Sequence, residues 1–196
     1  MIDEYFVAFK EHINHIIPVS DQIWDEVKFI SSYRKLKKDE FIVKEGHSFN
    51  HEIFVYQGVI RGFYKRSESD ELNVSFYSDK EIIGPWFSRT RNGRSIINLQ
   101  TVTASVIIEI DQPKFKLLRH KYLELLYYGS MIVEKELEIK TNREMFLLID
   151  NAEERYLMFR KMYPQLENKI PQFHIASFMG ITPVSLSRLR NRMVKK

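Results

Sequence analysis

Cysteine is absent from the 196-residue chain, which removes disulfides, thiolate nucleophiles, cysteine-zinc sites and cysteine-ligated iron–sulfur clusters in one step. That composition suits a reducing compartment. Glycine and proline are sparse, at seven and six residues, too few for a collagenous or low-complexity chain. No apolar run approaches the length of a spanning helix, and the N-terminus, Met1-Ile2-Asp3-Glu4, is acidic where a secretory leader is basic. The expectation is a soluble cytoplasmic protein without a membrane partner. What is present is an ordinary globular composition, 44% apolar and 13% aromatic, with chain enough for one large domain or two small ones.

The net charge of +4 is unevenly spread. Residues 1 to 150 hold 21 Lys/Arg against 23 Asp/Glu, whereas residues 151 to 196 hold 9 against 3. No acidic residue follows Glu167, while Lys169, Arg188, Arg190, Arg192, Lys195 and Lys196 do. A basic quarter reads either as a solvated tail or as a polyanion-binding module.

Apolar residues at spacings of three and four, from Tyr5 to Ile17, predict a helix before Pro18 and a shorter one around Ile23, Trp24 and Val27. From about Tyr33 to Ile110 the pattern changes to short runs such as Phe41-Ile42-Val43, Ile53-Phe54-Val55-Tyr56, Val59 to Tyr64, Leu72 to Tyr77 and Val106 to Ile110. Turn residues such as Glu45-Gly46, Gln57-Gly58, Ser67-Glu68-Ser69-Asp70 and Asn92-Gly93 punctuate them. Strands at this spacing predict an antiparallel sandwich or roll. After Pro113 the helical period returns, with Leu125, Ile132, Ile139 and Phe146 seven residues apart. A helix of that length outruns a small sheet, so this stripe is expected to form a dimer seam, packing on the sheet being the alternative. Asp150-Asn151-Ala152-Glu153-Glu154 carries a capping-box signature that starts a new helix and marks a boundary.

The most informative stretch runs from Phe173 to Arg190. Ile175, Phe178 and Met179 share a helical face, Ala176 permits a close crossing, and Gly180 stands where the helix should end. Thr182 is an N-cap and Pro183 a first helical residue. Leu186 and Leu189 then give a second helix its inward face. A small residue, a glycine four later and apolar residues six and nine after that is helix-turn-helix spacing; an ordinary helical hairpin is the plain alternative. The expected DNA-binding residues are Thr182, Ser185, Ser187, Arg188, Arg190, Asn191 and Arg192. Thr182 and the helix N-terminus suit phosphate, and Arg188 suits guanine in the major groove of double-stranded DNA.

With Ile42-Val43-Lys44-Glu45-Gly46, Ile53 to Gly58, Glu81-Ile82-Ile83-Gly84 and the segment Gly180 to Leu189, the chain resembles the Crp/Fnr family of bacterial transcription regulators. The resemblance implies an α+β chain of three parts. These are an N-terminal antiparallel, jelly-roll-like β-roll sensor with flanking helices (1–119), a long dimerisation helix (120–150) and a C-terminal helix-turn-helix domain (151–196). It further implies a homodimer through the 120–150 helix, a small-molecule effector of unidentified kind, and RNA polymerase as a partner.

The family's nucleotide cassette places Gly-Glu after a strand and Arg-Ser about ten residues later. Gly84 matches, Arg94-Ser95 resemble the Arg-Ser pair one residue early, and Thr141 falls near the base-contacting position of the long helix. Pro85 stands where the glutamate belongs, supplying neither carboxylate nor N–H. Cyclic AMP is therefore not expected as a ligand, and no cofactor is expected. The residues after the recognition-helix start, Pro183 and Val184, depart from the family's polar ones, and any wing must lie around Leu166 to Gln172. The rival readings are a ligand-binding roll without DNA binding and a cupin-like metal enzyme. The latter needs two histidines one residue apart, whereas His47 and His51 are four apart, so no metal site and no catalytic residue is assigned.

Overall fold

A computed structural model describes residues 2–65, 67, 70–164 and 166–194. Glu68 and Ser69 of the expected turn and Lys195 and Lys196 of the basic tail lie outside the described residues. Two helices lead, α1 (Ile2–Ile16) and α2 (Asp21–Phe29), the second capped by the Ser20 hydroxyl, which accepts from the Ile23 amide at 3.3 Å. Ten strands follow: β1 (Ser31–Leu36), β2 (Phe41–Val43), β3 (His51–Gln57), β4 (Ile60–Lys65), β5 (Glu71–Tyr77), β6 (Ile82–Ile83), β7 (Thr90–Arg91), β8 (Arg94–Ser95), β9 (Asn98–Thr101) and β10 (Ser105–Asp111). They pair antiparallel in two four-stranded sheets, ordered β1-β10-β3-β6 and β2-β9-β4-β5, with β7-β8 a separate hairpin. The chain is thus α+β with an antiparallel roll.

Burial explains the composition of the strands. In β3, Ile53, Phe54 and Val55 are all buried, because Ile53 and Val55 face the interior between the sheets while Phe54 stacks on Phe9 of α1 at 5.1 Å. Strand β9 reads as polar, Asn-Leu-Gln-Thr, yet all four residues are buried. Each polar side chain there has a partner: Asn98 accepts from the Glu45 amide (3.1 Å), Gln100 from Arg61 (2.6 Å) and Thr101 from the Glu40 amide (2.9 Å).

After the roll come α3 (Gln112–Lys121), capped by Asp111, and α4 (Leu123–Leu148), separated by the extended residue Tyr122. Then follow α5 (Ala152–Met162), capped by Asn151 at 2.8 Å, α6 (Gln172–Met179) and α7 (Pro183–Val194). Between α5 and α6 lies a short 3-10 turn, Leu166–Asn168, in place of wing strands. Among the described residues no helix is long and apolar enough to cross a membrane.

The expected seam of α4 is corrected. Leu125, Tyr128 and Ile132 are buried in a core with α1, α2 and the outer face of β3 and β10, and Phe146 is buried in the core of the C-terminal helices. Leu125, Ile132 and Phe146 of the seven-residue stripe therefore pack on their own chain, and Ile139 is half-buried. The opposite face carries a second stripe that is exposed: Leu123, Leu126, Tyr127, Val133, Leu137, Met145 and Leu148, with Leu123 and Leu148 each 81% accessible. The C-terminal helices share their core with Val59, Phe76 and Val102 of the roll, so head and roll are continuous.

Candidate functional site

Helix α6 ends on Gly180 at φ +69°, an angle glycine adopts without a Cβ penalty. The Ile181 amide bonds back to the Ala176 carbonyl at 3.0 Å and the Gly180 amide to Ser177 at 3.2 Å, closing the helix end. The Thr182 hydroxyl then accepts from the Ser185 amide at 3.1 Å, and Pro183 opens α7 where no amide is needed. Ala176, Leu186 and Leu189 are buried at the helix crossing. Thr182, Ser185, Ser187, Arg188, Asn191 and Arg192 are exposed and Arg190 is half-buried. The structure thus brings these seven residues together on the turn and the second helix, with hydroxyls beside the positive N-terminal end of α7 and arginines further along.

The first helix of this pair is fastened to β5 by a polar seam. The Asn73 amide donates to the Ser177 hydroxyl (3.0 Å), Ser177 donates to the Glu71 carbonyl, and Asn73 Nδ2 donates to the His174 carbonyl (2.9 Å). Buried Arg61 spans Glu71 (2.6 Å), Gln100 and Asn73 and approaches His174 Nδ1 at 3.3 Å. Burial, reinforced by the charges of Arg61 and Lys38, pushes the His174 imidazole down to about 3, so it stays neutral and its Nδ1 accepts. This seam was invisible in the sequence, where His174 was an isolated histidine.

In the roll, the Arg94-Ser95 pair bonds to nearby backbone carbonyls. Arg94 is exposed and donates to the Gly46 carbonyl at 2.8 Å. Buried Ser95 turns its hydroxyl to the Ile97 carbonyl at 2.6 Å. Thr141 is exposed on α4. Pro85 precedes a 3-10 turn, Trp86–Ser88, and a Cβ at Gly84 would meet Ile132 at 3.0 Å. The group that does reach α4 is Arg89. Its guanidinium donates to the Gly84 carbonyl (2.9 Å), to the Tyr77 hydroxyl and to Glu136 of α4 (2.7 Å). Arg89 and Glu136 are 4% and 10% accessible, so this ion pair between the roll and α4 is buried. The available signal was Glu136 itself, a carboxylate four residues after Ile132 on the apolar side of the helix.

Among the described residues no group of three His, Cys, Asp or Glu side chains is placed to hold a metal ion. No protein-family model matches the sequence, and no curated protein does. Solved structures do. FixK2 from Bradyrhizobium japonicum matches with TM-score 0.73 at 14% identity, over 85% of each chain. A Crp/Fnr-family regulator from Eubacterium rectale matches with 0.71 at 13%, over 90% of this chain and 85% of that one. CLP, the c-di-GMP-responsive global regulator of Xanthomonas campestris, matches with 0.69 at 14%, over 90% and 92%.

Proposed function

We propose that this chain, which has the fold of the Crp/Fnr regulators, is a non-enzymatic, dimeric regulator that binds double-stranded DNA through α7. The observation that carries the reading is the α6-turn-α7 pair, its apolar face buried and its Thr182, Ser185, Arg188 and Arg192 face open. Phosphates sit at the N-terminus of α7, at its positive dipole end beside the Thr182 and Ser185 hydroxyls, and Arg188 reads a base edge. The exposed apolar stripe of α4 takes the same stripe of a second copy, an isologous contact that sets two recognition helices at a fixed spacing. Cyclic AMP is not the effector: Pro85 offers no ribose acceptor, and Arg89 is already paired with Glu136. RNA polymerase is the expected downstream partner.

A gel-shift assay on duplex DNA tests the reading. The wild type binds with affinity falling steeply as salt rises, and the Arg188→Ala, Arg190→Ala, Arg192→Ala variant loses affinity and flattens that slope. Equal affinity of the two proteins refutes the assignment to α7. Calorimetric titration checks the ligand claim, which fails if cyclic AMP binds more tightly than about 10 µM, roughly −7 kcal/mol.

A further inference from the structure

Arg155 of α5 counts among the nine bases of the last quarter, yet it is half-buried and its guanidinium is engaged by backbone carbonyls. Nε and Nη2 donate to the Ile149 carbonyl at 3.1 and 2.5 Å, and Nη1 donates to the Met179 carbonyl at 2.8 Å. The same group lies 5.9 Å from the centre of the Phe146 ring, in the last turn of α4.

Both carbonyls stand at helix ends. Ile149 caps the C-terminal end of α4, and Met179 is the last residue of α6. The final carbonyls of a helix lack an intrahelical donor and carry its negative dipole end. A planar cation with donors in several directions therefore suits two such ends at once. A Cβ at Gly180 would lie 4.0 Å from Nη1, so the guanidinium sits directly behind the turn that joins α6 to α7. Each end carries a different part of the regulator reading. Helix α4 bears the exposed stripe, and the turn at Gly180 launches α7. Along the chain the path between them runs through the whole of α5 and α6; across Arg155 it is a single side chain.

We propose that Arg155 is a positioning residue for DNA binding: it clasps the C-terminal end of α4 to the turn between α6 and α7, and so fixes where α7 stands relative to the dimer seam. It touches neither phosphate nor base. Without the clasp the head has to be oriented at each binding event, an ordering cost that the wild type has already met in folding. The effect on DNA rests on the regulator reading; the clasp itself does not.

The DNA probes are a duplex selected from a random pool by the wild-type protein and the same duplex cut to one half-site. Arg155→Gln weakens binding to the full duplex by roughly tenfold, the size of a lost charged hydrogen bond. Its binding to the half-site and its salt slope match the wild type, because no phosphate contact is removed. Arg155→Lys keeps the charge without the fork and does not restore the full-site affinity. The assignment is overturned if Arg155→Gln binds the full duplex like the wild type, or loses the half-site equally, as a merely loosened head would. A flattened salt slope or rescue by lysine also overturns it, since either marks a phosphate contact. Hydrogen exchange reads the clasp without DNA. Arg155→Gln speeds exchange at the Gly180, Ile181 and Ser185 amides, which are bonded in the wild type, and leaves β3 and β10 protected; unchanged exchange at the turn refutes the clasp. Should the variants fail to fold, nuclear magnetic resonance of the wild type decides: separate, slowly exchanging guanidinium protons on Arg155 uphold the clasp and one averaged signal refutes it. Faster exchange at the turn beside a wild type that binds no DNA upholds the clasp and sinks the regulator reading.

Discussion

His174 and His12 are held neutral inside the protein, at about 3 and about 4, chiefly by burial. In the unfolded chain both take up a proton near 6.5, so below that pH the unfolded state binds more protons and stability falls as pH falls. Their contribution is full above about pH 6.5 and is lost progressively on the way down towards their folded values. Thermal melts should therefore show Tm dropping between about pH 6.5 and 4.5. His174→Asn, which keeps an acceptor near Arg61, makes that slope shallower; an unchanged slope contradicts this account of His174. The pair Arg89 and Glu136 makes a second residue-scale prediction. Removing one partner strands a buried charge, so Arg89→Ala costs about 3 to 5 kcal/mol in denaturant unfolding, and a loss below ~1 kcal/mol contradicts the burial argument. Neither the histidine nor the ion pair was legible, because a polar residue is a core residue only if another part of the chain brings it a partner. Gly180, Thr182 and Pro183 were legible, because their conformations and caps involve near neighbours alone.

Helix α4 shows how an element can be read correctly and turned the wrong way. Its length and its apolar period were visible, but a helix with two apolar sides does not say which side meets its own sheet. The roll and α1 bury Leu125, Tyr128 and Ile132, leaving Leu126, Val133 and Leu137 outside. The two faces give separable outcomes. Leu126→Glu with Leu137→Glu yields a monomer in light scattering with the unfolding of each protomer little changed. Ile132→Ala destabilises by about 2 to 5 kcal/mol and leaves the oligomeric state alone. If the Glu variant remains a dimer, the exposed stripe is not the seam. Strand β9 is the other element that the pattern concealed, since its Asn98, Gln100 and Thr101 are polar and are buried with partners from β4, the β1–β2 turn and the Glu45 amide.

Across the whole molecule, the head does not stand apart from the roll. Val59, Phe76 and Val102 enter the head's core, and Asn73 and Ser177 bond α6 to β5. Replacing Asn73 and Ser177 together by Ala should cost about 1 to 3 kcal/mol by orphaning buried groups. It should speed hydrogen exchange selectively in α6 while the β3 and β10 amides stay protected. Uniform loosening would mean that the seam is not a separate joint. The order of parts, the antiparallel roll, the helix-turn-helix spacing and the basic last quarter were determined by the sequence alone, because periodicity, turn residues and caps act over a few neighbouring residues. The tertiary structure decided which face of α4 is free and that Arg89 rather than Arg94 reaches the long helix. Those depend on contacts between residues tens of positions apart, which only the folded chain brings within a few ångströms.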